Sequence, residues 1–148
     1  MTEVTKDTRT LDDPEEVVRR YYRIVSDLSS TEDDLRSILA QDVIVTEHPN
    51  ALVPTGARRN LTQTLDGFRR GKGLLREQVF EVHDVIAQGD RAAVRATWRG
   101  VVGVDAGPFR AGQELIAHVA AALTVRDGRV VAHETFDCYE PFTTAPAL

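Results

Sequence analysis

Apolar residues recur at helical spacing along the first half of the chain. The segment starting at Asp13-Pro14 offers a cap and a proline in the first turn, and an apolar stripe then predicts the first helix. A capping-box arrangement at Thr31 opens a short second helix, and residues 60–70 form a third, which Gly71 and Gly73 are expected to end. The three apolar stripes are Val17, Val18, Tyr21, Ile24, Val25 and Leu28; Leu35, Ile38 and Leu39; and Leu61, Leu65 and Phe68.

The rest of the sequence alternates between apolar and polar residues, which is typical of β-strands. The Asp127-Gly128 pair between two β-rich runs predicts a tight hairpin. The order of elements, ααβαββββ, predicts an α+β domain in which a cone-shaped, curved antiparallel sheet carries the three helices on its concave face. The predicted strands cover residues 43–48, 75–87, 91–102, 113–126 and 129–139.

The length and composition fit a single globular domain. A chain of 148 residues can bury its own core, and 42% hydrophobic with 28% charged residues is ordinary for such a domain. The periodic pattern fills residues 12–142. Residues 1–11 and 143–148 lack it and are predicted to be flexible tails.

The charge and the apolar runs exclude several classes of partner. A net charge of −5 with no cluster of Lys and Arg argues against nucleic acid. No apolar run approaches the roughly 18 residues of a membrane span, and the polar start does not resemble a signal peptide. The single cysteine, Cys138, excludes an internal disulfide, so a cytoplasmic location is the default expectation. The Arg-, Ala- and Val-rich usage resembles that of a high-GC bacterium.

One strand is apolar on both of its faces. Between residues 115 and 125, positions on both sides are Ala, Val, Leu or Ile, with His118 and Thr124 as the polar exceptions. Helices can cover one side, and covering the other with a second copy predicts a homodimer packed sheet to sheet. The many alanines leave room for a pocket under the helices.

The last strand carries polar residues on one face. His133, Thr135 and Asp137 alternate together with Val131, next to the strand that is apolar on both sides. Such groups must be hydrogen-bonded or line a wet cavity. His133 and Asp137 lie roughly 13 Å apart along the strand, so they could address two ends of one ligand.

The segment Val45-Thr46-Glu47-His48-Pro49-Asn50 places two titratable side chains at one strand end. Neighbouring strand residues point to opposite faces, so Glu47 and His48 cannot both face one cavity unless a bulge at Pro49 re-aims one. His48 can carry protons near neutral pH, and Glu47 can do so if its carboxyl lies in an apolar pocket. The alternative is a polar strand end in which Glu47 pairs with Arg58 or Arg59.

Several stretches resemble the nuclear transport factor 2-like superfamily, which includes ketosteroid isomerase, limonene-epoxide hydrolase and the SnoaL-type polyketide cyclases. The likeness spans about residues 12–142, and its ending is most similar to a SnoaL-like branch. It implies the curved sheet, the helices and an apolar pocket. The stretches that carry it are Arg20-Tyr21, Asp42 to Pro49, Trp98-Arg99-Gly100, Asp127 to Val130 and Phe136 to Phe142.

The resemblance implies roles for some residues and argues against particular activities where a family residue is missing. The ketosteroid isomerase base matches His48 and its oxyanion Tyr matches Tyr21, but its second oxyanion donor falls on Ala121, so steroid isomerase activity is not expected. The water-positioning Asn of the epoxide hydrolase matches Glu47, and its last-strand Asp falls on Thr135. A SnoaL-type acid/base Asp in the last strand corresponds to Asp137.

The sequence thus predicts a cofactor-independent small-molecule enzyme, an isomerase, polyketide-type cyclase or hydratase/hydrolase that moves protons in an apolar pocket. The alternative is a non-catalytic binding or dimeric assembly domain on the same fold. No metal and no cofactor are expected, and the ligand is a small apolar organic molecule. The predicted catalytic residues are Asp137, His48, Tyr21 and His133, and the predicted substrate-binding residues are Glu47, Trp98, Val119, Ala121 and Thr135.

Overall fold

The computed structural model describes residues 13–142, so both predicted tails lie outside the described residues. Within that range the chain forms three helices and a curved, unclosed six-stranded sheet, which confirms the predicted α+β fold. The helices are α1 (Pro14–Ser26), α2 (Glu32–Ile38) and α3 (Leu61–Leu74). The strands are β1 (Leu39–Glu47), β2 (Ala57–Arg59), β3 (Leu75–Gln88), β4 (Arg91–Val102), β5 (Glu114–Arg126) and β6 (Arg129–Tyr139).

The helix starts follow local capping. Thr31 and Asp34 form the predicted capping box of α2, whereas Asp13 makes no side-chain cap bond to α1. The end of α3 was wrongly predicted: Gly71 and Gly73 lie inside the helix, and Leu75 N–H bonds to the Gly71 carbonyl. The four additional helical residues stabilise the helix by more than the modest free-energy cost of glycine in its interior.

The sheet has the order β2-β1-β6-β5-β4-β3. All neighbours are antiparallel except β1 and β6, which run parallel, so the expectation of a purely antiparallel sheet fails at this pair. The three-residue β2 was not predicted, because a strand this short carries no alternation to detect. It pairs with the end of β1, where Glu47 lies opposite Ala57.

A β-bulge shifts the faces of the last strand. The register of β5 and β6 changes between Thr124 and Val125, so Val130 is fully buried while Val131 is only half-buried. The predicted grouping of Val131 with His133 is therefore wrong. A bulge adds one residue to a strand, and every side chain beyond it changes face.

The core lies between α1, α2 and the inner face of the sheet. Helix α1 crosses β3, β4, β5 and β6, and its fully buried Val17 and Val18 pack above small residues of β4 and β5. On the outer face of β5, His118 and Ala120 are exposed, so no element within residues 13–142 covers this side of the strand. Within residues 13–142, none of the helices combines the length and apolar character needed to cross a bilayer.

Candidate functional site

A cavity of about 550 Å³ lies between α1, α3 and the inner face of the sheet. Its walls are mainly apolar, and α3 turns Gly67 and Gly71 towards it, which leaves room that larger side chains would fill. The volume falls in the range of small-molecule sites. The polar and charged residues of its lining are Tyr21, Tyr22, Glu47, Arg59, Thr64, Arg70, Lys72, Gln78, His133, Thr135, Asp137 and Tyr139.

Tyr21 and His133 meet at the buried end of the cavity. The Tyr21 hydroxyl lies 3.1 Å from His133 Nδ1, and the two rings meet edge to face. Burial lowers the pKa of His133 to about 4, and burial together with the charge of Asp137 raises the pKa of Tyr21. Both side chains are therefore uncharged at neutral pH.

Asp137 lies further along β6 on the same face. Thr135 Oγ1 donates to Asp137 Oδ1 at 2.6 Å. Burial raises the pKa of the Asp137 carboxyl, the Thr135 hydrogen bond opposes that rise, and the nearby Glu47 charge adds to it. The result is a half-buried carboxyl that exchanges protons more readily near neutral pH than an exposed aspartate does.

Of the two neighbouring residues at the end of β1, Glu47 faces the cavity. Its carboxylate accepts from Arg59 Nη1 at 2.8 Å and from Asn50 Nδ2 at 2.8 Å. The ion pair with Arg59 is one of the two that the alternative interpretation, a polar strand end, predicts. It fixes the negative charge of Glu47 at the cavity wall, close enough to raise the pKa of Asp137.

The structure places His48 outside the cavity, on the outer surface of the sheet. Its ring stacks on Phe136 with centroids 4.3 Å apart, and its Nε2 lies 2.7 Å from a Glu134 carboxylate oxygen. The His48 amide continues the pairing of β1 with β6 by donating to the Thr135 carbonyl. With no bulge at Pro49 to re-aim it, His48 follows the alternation of the strand away from the ligand space.

Trp98 forms one wall. Its indole N–H donates to Gln78 Oε1 at 2.8 Å, and its ring meets Tyr139 edge to face. The indole lies so close over Gly100 that a Cβ there would be 2.4 Å from a ring carbon, so glycine is required at this position. Trp98 is the only tryptophan of the sequence, so its fluorescence reports directly on the cavity.

The remaining predicted contact residues divide into two groups. Val119 and Thr135 line the cavity. Ala121, although buried on the same face of β5, is not part of the lining. Its partner across the sheet, Thr135, does line the cavity.

The sequence interpretation missed Tyr22, which is absent from the predicted site residues. Both are buried on α1 and both line the cavity. The Tyr22 ring meets Phe80 edge to face at 5.2 Å. Its spacing from Val18 and Val25, four and three residues, is a second helical stripe that could have revealed it.

Among the described residues, His, Cys, Asp and Glu side chains form no group of three placed to hold a metal ion. The chemistry that the cavity offers rests instead on one carboxyl of raised pKa, a fixed ion pair and several tyrosine and histidine donors, inside apolar walls.

Residues 18–133 match the SnoaL-like domain family, and the chain therefore belongs to that family. This confirms the predicted placement in the SnoaL-like branch of the nuclear transport factor 2-like superfamily. No curated protein matches the sequence.

Solved structures show the same fold at low sequence identity. IdmH, a candidate polyketide cyclase from Streptomyces antibioticus, is 23% identical with a TM-score of 0.70, over 84% of this chain and 91% of that one. A candidate SnoaL-like polyketide cyclase from Jannaschia sp. CCS1 is 18% identical with a TM-score of 0.67, over 92% and 91%. A ketosteroid isomerase-like protein from Catenulispora acidiphila, in complex with trimethylamine, is 16% identical with a TM-score of 0.64, over 82% and 84%.

Proposed function

We propose that this protein is a cofactor-independent enzyme that moves a proton on a small, mostly apolar carbonyl compound. The observation that carries the proposal is Asp137, a half-buried carboxyl of raised pKa on the wall of an apolar cavity. Membership in the SnoaL-like family favours a polyketide-type cyclisation over the isomerase and hydratase/hydrolase alternatives. His48 lies outside the cavity, so the proton-carrying role falls to Asp137 alone.

The proposed reaction begins when the Asp137 carboxylate takes a proton from the carbon next to a substrate carbonyl. The electron pair of that C–H bond forms a C=C bond, and the π pair of the carbonyl moves onto its oxygen, which gives an enolate. Its carbon attacks a second carbonyl of the same molecule, forming a C–C bond, and the resulting alkoxide takes the proton back from Asp137. No electrons are gained or lost, so the step requires no redox cofactor.

The surroundings of Asp137 suit this sequence of steps. The Thr135 hydroxyl holds one carboxylate oxygen at 2.6 Å, which orients the other for the substrate. The Tyr139 hydroxyl lies next on the same face of β6, and its pKa is raised by burial and then by the charges of Asp137 and Glu47, so it stays a donor. The apolar walls exclude water, which strengthens these interactions.

The alternative, a domain without chemistry, predicts either that polar residues are tied to the backbone with the space between them filled, or that a ligand binds and does not react. Tyr21 bonds to His133 and Asp137 bonds to Thr135, each through side chains, around an open cavity, which argues against the first form only. Groups of perturbed pKa gathered in one cavity support the enzyme.

The test separates binding from chemistry with a panel of two- and three-ring aryl ketones, starting with 1-tetralone. We expect these ketones to quench Trp98 fluorescence, and we expect the protein to speed deuterium exchange beside their carbonyl in D2O at least about tenfold over buffer. Exchange is followed by mass spectrometry. Saturable quenching across the panel with exchange no faster than in buffer would instead identify a binding domain.

We also propose a homodimer formed by the outer face of the sheet, with a second copy of the chain as the partner. That face carries Ala120 of β5 beside Phe136 of β6, whose side chain is 45% exposed. Small side chains on facing strands let two sheets approach closely.

Placing a charge at the centre of this face is expected to separate the two copies. Ala120→Arg should elute as a monomer in size-exclusion chromatography with light scattering, because the added guanidinium lies opposite Arg95 on the same face and would have to be desolvated against the second copy. Ala111→Arg, in the exposed segment between β4 and β5, is the matched control and should leave the mass unchanged. A wild-type protein that is monomeric at all concentrations would refute the dimer.

A further inference from the structure

Two polar atoms at the buried end of the cavity lack a hydrogen-bond partner among the described residues. They are the Tyr22 hydroxyl and His133 Nε2. The two side chains are only 2% and 8% exposed, and both line the cavity. Leaving a buried polar group unpaired costs about 1–3 kcal/mol, so both atoms are expected to pair with a polar group that enters the cavity.

The bond between Tyr21 and His133 determines what the unpaired nitrogen can do. A neutral imidazole carries one proton, on either Nδ1 or Nε2. The Tyr21 hydroxyl keeps its proton, because burial raises its pKa, and its hydrogen-bond contact among the described residues is His133 Nδ1. If Tyr21 donates to Nδ1, only the Nε2–H group of the pair stays unpaired. If Tyr21 accepts instead, its own hydrogen and Nε2 are both unpaired, so the first arrangement is favoured, and in it the unpaired nitrogen is a donor.

The Tyr22 hydroxyl is a donor as well, since burial and then the Tyr21 and Asp137 charges raise its pKa. Two unpaired donors on facing aromatic rings, with centroids 6.3 Å apart, fit an oxygen that accepts and needs no proton of its own. A ketone, a phenol or a phenolate has such an oxygen, whereas an ammonium group does not.

We propose that the Tyr22 hydroxyl and His133 Nε2–H bind a ketone or phenol oxygen of the ligand, at the end of the cavity away from Asp137. Tyr21 is a positioning residue that holds the histidine tautomer. The inference rests on the proposed function for the role of Asp137 and extends it to the other end of the ligand. The backbones of His133 and Asp137 are four strand residues apart, roughly 13 Å, which leaves room for two or three fused rings with a hydrogen bond of about 3 Å at each end.

The wall behind Tyr22 has room to move. Tyr22 and Phe80 line both the main cavity and a smaller pocket of about 320 Å³ between α1 and β3. Both donor atoms are covered by neighbouring side chains, so the proposal requires the Tyr22 ring to shift outward towards this pocket when the ligand binds.

The first test compares 6-hydroxy-1-tetralone with 1-tetralone, which lacks the distant hydroxyl. Calorimetry is expected to show that the hydroxylated ketone binds wild-type protein about tenfold more tightly. Tyr22→Phe, which removes only an unpaired oxygen and is expected to fold normally, should reduce this advantage to less than about threefold. Equal binding of the two ketones to wild-type protein, or an advantage that survives Tyr22→Phe, would overturn the proposal.

The second test reads the tautomer of His133 directly by side-chain ¹⁵N NMR. We expect the proton on Nε2 in wild-type protein, and a mixture of tautomers in Tyr21→Phe, since only the Tyr21 donor excludes a proton from Nδ1. His133→Gln assigns the signal, and His83→Gln, an exposed histidine of β3, serves as its matched control. A proton on Nδ1 in wild-type protein would refute the donor assignment.

Neither measurement requires turnover. If Asp137 proves unimportant for deuterium exchange while Tyr22→Phe abolishes the hydroxyl advantage, the proposed function fails and the oxygen-binding end stands. If exchange depends on Asp137 and the hydroxyl brings no advantage in affinity, the proposed function stands and the oxygen-binding end is refuted.

Discussion

Asp137→Asn is expected to slow deuterium exchange into bound aryl ketones by about 100-fold or more. The substitution keeps the shape of the side chain and removes the group that takes the proton, and general bases contribute about 10² to 10⁴ in rate. Quenching of Trp98 should show nearly unchanged ketone affinity, so the loss falls on the chemical step. Asp84→Asn, an exposed carboxylate paired with Arg95, is the matched control. An Asp137→Asn protein that keeps more than a tenth of the activity would rule Asp137 out as the base.

The same variant is expected to be more stable than wild-type protein at neutral pH. Because burial raises the folded pKa of Asp137, ionising it costs free energy of folding at any pH above the ordinary range of aspartate. The gap in melting temperature should therefore narrow as the pH falls through the raised pKa. A gap that is absent at neutral pH would mean that the carboxylate is well solvated.

The free energy of unfolding is expected to fall by about 3 kcal/mol between pH 6.5 and pH 4 through His133 alone. Its pKa drops from 6.5 in the unfolded chain to about 4 in the folded protein, because burial disfavours the imidazolium. Between these values the unfolded chain binds a proton that the folded protein does not, so each pH unit is worth about 1.4 kcal/mol. Urea unfolding as a function of pH measures this slope.

His133→Gln isolates this contribution, because it removes the titrating ring while the other acid-sensitive groups remain. The variant should lose less stability than wild-type protein over the same pH range, whereas His83→Gln should behave like wild-type protein. Parallel curves for His133→Gln and wild-type protein would show that His133 is protonated as easily in the fold as in the unfolded chain.

The sequence predicts most of the fold, because long alternating strands and capped helices are local signals. The capping box at Thr31 and the hairpin at Asp127-Gly128 are both confirmed, the hairpin as the turn between β5 and β6. The parallel pairing of β1 with β6 depends on contacts between residues far apart in sequence, such as Leu39 and Val130, and no local pattern encodes it.

The candidate site was predictable only in part. Alternation correctly grouped His133, Thr135 and Asp137 on one face, yet it could not decide between Glu47 and His48. That choice depends on the pairing of β2 with β1, which brings Arg59 to Glu47. The unpaired donor of Tyr22 depends on how α1 packs on the sheet. The packing of one element on another cannot be predicted from a short stretch of about ten residues of sequence.

The pairing of β1 with β6 also determines at which stage of biosynthesis the cavity can form. Glu47 pairs with Thr135 across this junction, so a ribosome has made nearly the whole domain before the strand at residues 39–47 finds its neighbour. Until then that strand has an unpaired edge, and chains whose contacts are this distant in sequence fold slowly. The carboxylates of Glu47 and Asp137 are brought together by the same late event, so ligand-binding competence reports completion of folding for the whole sheet.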